Sequence, residues 1–311
     1  MTIISEPHIL PPRSIAAAIG MFDGVHVGHQ QVVSTLRYEA GLRGLKTGVI
    51  TFAQHPQLVL NPNSDLCMIM PIDDRLKYLS ELGLDYTILL NFDKSIAILG
   101  AREFLQLVHN QYGVSLLVIG YNHRFGHNVE ETFDDYVRYG AEIGVEIIKA
   151  EEYVGEYCPV SSSIIRRLIS GGKVDDASHC LSRLFSIKGR VVHGFENGHK
   201  IGFPTANITP SCNAVIVPHR GVYAVRVKIE GCDKIFCGMA NIGVRPTFNN
   251  GNSKSIEVHI FDFDEDIYGK DLTIEFVKFI RTERKMNSID ELQLQLMQDE
   301  KEARLILKNN I

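Results

Sequence analysis

Up to about residue 185 the chain alternates between two patterns of apolar positions. Short, largely apolar runs, Ser14 to Ile19, Lys46 to Phe52, Tyr86 to Leu90, Ser115 to Ile119 and Glu146 to Lys149, read as strands. Between them, apolar residues recur at helical spacing over Gln31 to Ala40, Ile72 to Leu82, Ala101 to Tyr112 and Glu130 to Ile143. Gly83 and Gly113 follow two of these segments and read as helix stops. Strand–helix alternation with apolar strands predicts a parallel α/β sheet covered on both faces. A helix break at Gly171-Gly172 and a short helix precede a change of pattern near Leu184-Phe185. Beyond it, Ile187 to Val192, Gly221 to Val227, Ile235 to Ile242, Ser255 to Phe261 and Leu272 to Phe279 read as strands between Gly, Asn and Pro turns. Their spacing predicts a small antiparallel β-barrel, closed by the amphipathic helix Ser288 to Leu307. The expected domains are 1–184 and 185–311.

The 311 residues suit two domains, and 45% hydrophobic with 22% charged residues is ordinary for a globular protein. A net charge of −5 gives no global electrostatic basis for binding nucleic acid or an anionic membrane. The six cysteines form no Cys-x-x-Cys pair and read as scattered thiols in a reducing compartment. The start has no basic segment followed by an apolar run, and no apolar stretch is long enough to cross a bilayer. The expectation is a cytoplasmic protein without membrane or nucleic-acid partners.

Candidate chemistry begins at Gly20-Met-Phe-Asp-Gly-Val-His-Val-Gly-His-Gln30, between the first strand and the first helix. A glycine-rich turn there aims backbone N–H groups and a helix N-terminus at one point, which suits a phosphate. His26 and His29 can face the same anion and donate to a phosphoryl group as charge builds. Gly28 leaves room for close backbone approach. A metal pair or two surface histidines are the other readings, although Asp23 alone is a thin supply of further ligands.

Later motifs also follow strands, where α/β sheets bind ligands. Thr51-Phe-Ala-Gln-His-Pro56 carries His55, or is only a strand-ending loop stiffened by Pro56. In Gly120-Tyr-Asn-His-Arg-Phe-Gly126, Asn122 both donates and accepts, and Arg124 offers a fork for phosphate or for a structural ion pair. Phe125 is either core or a stacking platform. Ser161, Ser162 and Ser163 with Arg166 look like a second phosphate cradle, although helix capping alone explains one serine. In the second domain, Gly198-His-Lys-Ile-Gly-Phe-Pro-Thr-Ala-Asn207 offers the Thr205 hydroxyl and the Asn207 carbonyl oxygen, ligands suited to Mg²⁺ with bound phosphates, or forms an ordinary Gly/Pro turn. Glu257 and His259 share one strand face, and Glu257 is placed either to take a hydroxyl proton or to pair with a surface cation.

The first motif resembles the nucleotidyltransferase superfamily, and within it the FAD synthetase module of bifunctional bacterial riboflavin kinase/FAD synthetases. The Gly202-Phe-Pro-Thr-Ala-Asn207 string, Asn241-Ile-Gly-Val-Arg-Pro-Thr-Phe248 and Arg281-Thr-Glu-Arg-Lys-Met286 are similar to that family's riboflavin kinase signature. The resemblance covers nearly the whole chain. It implies a Rossmann-like nucleotidyltransferase domain followed by a riboflavin kinase barrel. The implied reactions are phosphorylation of riboflavin by ATP to FMN, then adenylyl transfer from ATP to FMN, giving FAD and pyrophosphate, both with Mg²⁺.

The implied catalytic residues are His26, His29, Arg166 and Glu257. Gly20, Phe22, Asp23, Gly24, Gly28 and Ser161, Ser162 and Ser163 would bind ATP in the first domain, and Gly202, Phe203 and Pro204 in the second. His55, Asn122, Arg124, Arg281 and Glu283 would meet flavin, and Thr205 and Asn207 the metal. Three departures from the family pattern, Gln54, His199 and Met286, hint at one alternative, a single-activity enzyme with one degenerate domain; a non-catalytic flavin-binding regulator is the other.

Overall fold

Five of the apolar runs become neighbouring parallel strands because they can be covered on both sides. The computed structural model describes residues 1–7, 14–128, 130–194, 201–247 and 251–309, of which 245–247 and 251–253 by their backbone alone. The strands are β2 (Ile15–Ile19), β3 (Lys46–Phe52), β4 (Tyr86–Leu90), β5 (Val114–Ile119) and β6 (Glu146–Lys149), joined at one edge by β1 (Thr2–Ile4). The sheet order is β1-β4-β3-β2-β5-β6, parallel throughout. Alternation splits β2 between two cores. Ile15, Ala17 and Ile19 pack with Leu105 and Val108, while Ala16 and Ala18 pack with Val33, Leu36 and Leu79. The helices of this unit are α1 (Val27–Arg43), α2 (Pro56–Leu60), α3 (Ile72–Glu81), α4 (Lys94–Ala97), α5 (Ala101–Tyr112) and α6 (Phe133–Ile143). Because the strands are parallel, the loops after β2, β3 and β5 leave the same edge of the sheet.

The chain divides into two compact units, Met1–Leu66 with Met70–Ser161, and Cys67–Ile69 with Ser162–Ile311. The second contains α7 (Ser162–Ser170), α8 (Val174–Leu181), β7 (Phe185–Val192), β8 (Ala206–Pro210), β9 (Gly221–Ile229), β10 (Ile235–Thr247), β11 (Gly251–Ile260), β12 (Asp271–Arg281) and α9 (Ile289–Lys308). Its strands close a barrel in the order β10-β11-β8-β7-β12-β9, every neighbour antiparallel. Ala303 and Leu307 of α9 bury against Val222, Ala224 and Phe261. Among the described residues no helix is long and apolar enough to cross a membrane.

The predicted α/β unit, barrel and closing helix are all present, with differences at element ends. The first helix begins at Val27, not Gln31, because His26 caps it. Helix α6 begins at Phe133, not Glu130: Thr132 and Asp135 cap it reciprocally, the Thr132 N–H donating to Asp135 Oδ2 at 2.9 Å and the Asp135 N–H to Thr132 Oγ1 at 3.4 Å. The sequence reading omits β1, α2, α4 and β8, each five residues or fewer.

Candidate functional site

The turn after β2 is held in an unfavourable backbone shape. Phe22 (φ 52°), Gly24 (φ 86°) and Val25 (φ 39°) are all left-handed. A β-branched residue there is a genuine outlier, and such residues cost on the order of 1–3 kcal/mol each. Burial and hydrogen bonds maintain the shape. Phe22 and Val25 are each 1% exposed, the Val25 N–H donates to Phe22 O at 3.0 Å, and Gln30 Nε2 donates to Val25 O at 3.1 Å. One strand over, Thr51 Oγ1 donates to Met21 O at 3.1 Å.

This backbone delivers two imidazoles to the mouth of α1. His26 is buried, and its Nδ1 accepts the His29 N–H at 3.3 Å, so the neutral ring carries its proton on Nε2. The rings stack with centroids 3.6 Å apart and 19° between planes, and His29 also lies 5.1 Å from the Phe22 ring. The first N–H groups of a helix have no intrahelical acceptor, and Val27 and Gly28 are the first two residues of α1, next to the ring pair. A Cβ on Gly28 would stand 3.2 Å from His26 Cε1 and Nδ1, so the glycine admits the ring pair. Asp23 is buried, and Gly20 leaves space for the Phe22 ring, whose edge a Cβ would meet at 3.3 Å.

Sequence reasoning missed Arg75, on α3. It is 2% exposed, and its guanidinium donates to Met21 O at 2.9 Å and Phe52 O at 2.6 Å. Burial pushes its pKa down to about 10, with Asp23 acting in the opposite direction. The only sequence signal was an arginine among the apolar positions of α3.

The remaining residues of this set fall on neighbouring loops. His55 is the N-cap of α2, its Nδ1 accepting the Gln57 N–H at 3.2 Å, with Pro56 at the first helical position. Asn122 and Arg124 are exposed on the loop after β5. Phe125 belongs to the core: it is buried and stacks on Tyr136 at 4.5 Å, and the Tyr136 hydroxyl donates to its carbonyl at 3.2 Å. Ser161 ends the first unit, while Ser162, Ser163 and Arg166 lie in the first turns of α7, counted with the second.

The barrel carries a separate constellation. Asn207 on β8 pairs across to Glu257 on β11, which pairs across to Asn241 on β10, so three polar side chains form one row over three strands. Asn241 Nδ2 donates to Glu283 Oε1 at 3.0 Å. Asn207 is 7% exposed, and Gly194 lies so close to its amide that any Cβ there would clash. Two cavities flank the row. One, of about 450 Å³, is lined by Val191, Pro204, Thr205, Ala206, Asp264 and Tyr268 among others. The other, of about 300 Å³, is lined by Phe203, Thr205, Glu257, His259, Met239 and Met286 among others. Thr205 lines both.

His259 Nδ1 hydrogen-bonds Pro204 O at 2.7 Å and fixes the segment between the cavities. Gly202, at φ 77°, makes the bend before Phe203. Arg281 and Glu283 line the second cavity, but the Arg281 fork is engaged with Asp299, at 2.7 and 2.6 Å. Gly198, His199, Lys200 and Phe248 lie outside the described residues. Sequence patterns give Asn241 no role of its own; its polar character inside an otherwise apolar strand is the signal for it.

Comparison with known proteins follows the same division. A family model described as FAD synthetase matches residues 10–164, and one described as riboflavin kinase matches residues 181–307. The bifunctional riboflavin kinase/FMN adenylyltransferase of Listeria monocytogenes is 35% identical over 92% of this chain and 90% of its own. The protein of the same description from Bacillus subtilis is 35% identical over 96% of each chain. A crystal structure from Streptococcus pneumoniae, described as a macrolide-efflux protein, is 31% identical, with a TM-score of 0.87 over 97% of this chain and 98% of that one.

Proposed function

The chain belongs to the family of bifunctional riboflavin kinase/FMN adenylyltransferases, and from that premise we propose how its residues divide the two reactions. The C-terminal region phosphorylates riboflavin with ATP to give FMN and ADP. The N-terminal region transfers AMP from ATP to FMN, giving FAD and pyrophosphate. We place the functional boundary at 184/185, which assigns α7 and α8 to the first activity although they cluster with the barrel. The observation that supports this reading is that the stacked imidazoles of His26 and His29 lie in one unit and two cavities sharing Thr205 lie in the other.

In the kinase site the larger cavity takes the nucleotide and the smaller takes the flavin. Glu257 then stands on the flavin side of the junction. Its carboxylate accepts the proton of the ribityl primary hydroxyl as that oxygen attacks the γ-phosphorus, and ADP leaves. Asn207 and Asn241 flank Glu257 in the row across the three strands. The Thr205 hydroxyl and the Asn207 amide oxygen are neutral donors that suit Mg²⁺ brought in by phosphate oxygens. Among the described residues no group of three His, Cys, Asp or Glu could hold a metal ion. When bound, Mg²⁺ neutralises charge on the phosphates. Gly202, Phe203 and Pro204 shape the segment between the cavities, and Arg281 and Glu283 border the flavin side.

In the adenylyltransferase site, a phosphate oxygen of FMN attacks the α-phosphorus of ATP and pyrophosphate leaves. His26 Nε2–H and the His29 ring donate to the phosphoryl oxygens as charge builds there, and the Val27 and Gly28 N–H groups hold the anion. Asp23, Gly20, Phe22 and Gly24 build the turn. His55, Asn122 and Arg124, on the neighbouring loops, are assigned to FMN. Ser161, Ser162, Ser163 and Arg166 are retained as triphosphate ligands on the sequence pattern alone. No disulfide joins the six cysteines, which supports a reducing cytoplasm as the compartment.

The test is to incubate the chain with riboflavin, ATP and Mg²⁺ and quantify FMN and FAD separately. Both products are expected. FMN alone would show that the first site is degenerate, and flavin binding without turnover would show a regulator.

A further inference from the structure

Arg75 has more structure around it than a core position requires. Met21 follows β2 and Phe52 ends β3, so one guanidinium ties together the roots of two loops, one leading to His26 and His29, the other to His55. Met21 O is held a second time by Thr51 Oγ1. A planar fork spans two carbonyls in a way that a single ammonium does not. Burying a guanidinium carries a desolvation cost, and among the described residues its Nε meets no acceptor. An apolar side chain would fill a purely structural position more cheaply. The cation also stands behind a turn in which Phe22, Gly24 and Val25 are left-handed, and such strain persists only where surrounding contacts over-determine it.

We propose that Arg75 is a positioning residue for adenylyl transfer: it holds the turn in the strained form that aims the two imidazoles, and it fixes that turn relative to the His55 loop. The proposal rests on the assignment of this turn to adenylyl transfer. It makes the guanidinium fork, rather than positive charge alone, the feature that matters. The barrel's kinase reaction takes no part in it and serves as an internal standard.

The test uses the full chain with Arg75→Met, Arg75→Lys and Arg75→Ala, measuring FAD formation from FMN and ATP beside FMN formation from riboflavin. Arg75→Met should lower kcat for FAD formation about a hundredfold, the scale of loss from misplaced catalytic groups, with KM for ATP little changed and FMN formation intact. Arg75→Lys, which keeps the charge but not the fork, should fall between wild type and Arg75→Met, and added guanidinium should restore part of the Arg75→Ala rate. Wild-type FAD formation in Arg75→Met or Arg75→Lys would overturn the proposal. So would parallel loss of both activities and of the thermal midpoint in all three variants, which marks a purely structural residue. His26→Ala separates the two levels of inference. If it leaves FAD formation intact, the assignment of the turn fails; if it abolishes FAD formation while Arg75→Met does not, only the role of Arg75 fails.

Discussion

Gly28→Ala sets the geometry of the imidazole pair against the stability of the helix that carries it. Gly28 is the second residue of α1, and alanine is the better helix former by up to about 1 kcal/mol. The added Cβ would stand 3.2 Å from both Cε1 and Nδ1 of His26, so the ring must give way by a few tenths of an ångström. The Nδ1 contact with the His29 N–H is already 3.3 Å long, and further retreat takes it beyond useful hydrogen-bonding range. Losing that cap costs about 0.5–1.5 kcal/mol, close to the helix gain. The thermal midpoint should therefore barely move. The displaced His26 ring and the stack it makes with His29 should cost FAD formation roughly 10–100-fold, because catalytic donors tolerate little misplacement. The assay is steady-state FAD formation from FMN and ATP, with FMN formation from riboflavin measured on the same preparation. Undiminished FAD formation would refute the claim that Gly28 exists to admit the ring pair, and equal loss of both activities would show that the fold, not the site, was damaged.

Three further outcomes follow from the barrel and the sheet. Asp299 is 1% exposed and accepts from Arg281 and from Gln295, so Arg281→Ala leaves a buried carboxylate short of its main partner and should cost about 3–5 kcal/mol in denaturant unfolding of the second unit; a loss below about 1 kcal/mol would show that the pair is not what holds α9. Thr205→Val and Asn207→Ala should raise the Mg²⁺ concentration for half-maximal FMN formation and leave the FMN-to-FAD step alone; an unchanged Mg²⁺ titration would remove both residues from the metal assignment. Partial burial pushes the Asp85 carboxyl up, but the Thr47 N–H and hydroxyl, both at 2.9 Å, and Lys46 outweigh it and hold its pKa below the usual carboxylate range. A depressed carboxyl stabilises the fold at pH above its unfolded value and loses that contribution as pH falls through the folded one. Asp85→Asn should therefore show a shallower loss of stability on acidification below about pH 4 than wild type, and parallel curves would contradict the sign.

The architecture was legible where one period ran long enough to be unambiguous. Buried strands such as β5 and helices ended by glycine, such as α5, came directly from their patterns. What escaped was short or decided by a single cap. Asn207 reads as a metal-ligating loop residue or as part of an ordinary Gly/Pro turn, yet it sits inside β8; Ala206-Asn-Ile-Thr-Pro210 shows no clean alternation, and its pairing on both sides comes from β7 and β11. The start of α6 was encoded in Thr132-x-x-Asp135, a capping box that the apolar periodicity passed over. In the sites, His26 and His29 were findable because glycines and a strand framed them. Arg75 was not, because it lies far along the chain from the turn it supports and its partners are backbone carbonyls, which leave no trace in side-chain chemistry. The row Asn207–Glu257–Asn241 depends on strand register, which no local pattern supplies.

The most direct test of two independent active sites on one chain is a paired knock-out. His26→Ala and Glu257→Gln are each given riboflavin or FMN with ATP and Mg²⁺, and the flavin products are separated and quantified. His26→Ala should convert riboflavin to FMN and stop there, whereas Glu257→Gln should fail on riboflavin, by about 10²–10⁴-fold, and still convert supplied FMN to FAD. If either substitution abolished both conversions, or left both untouched, the division of labour between the imidazole mouth and the barrel row would be wrong.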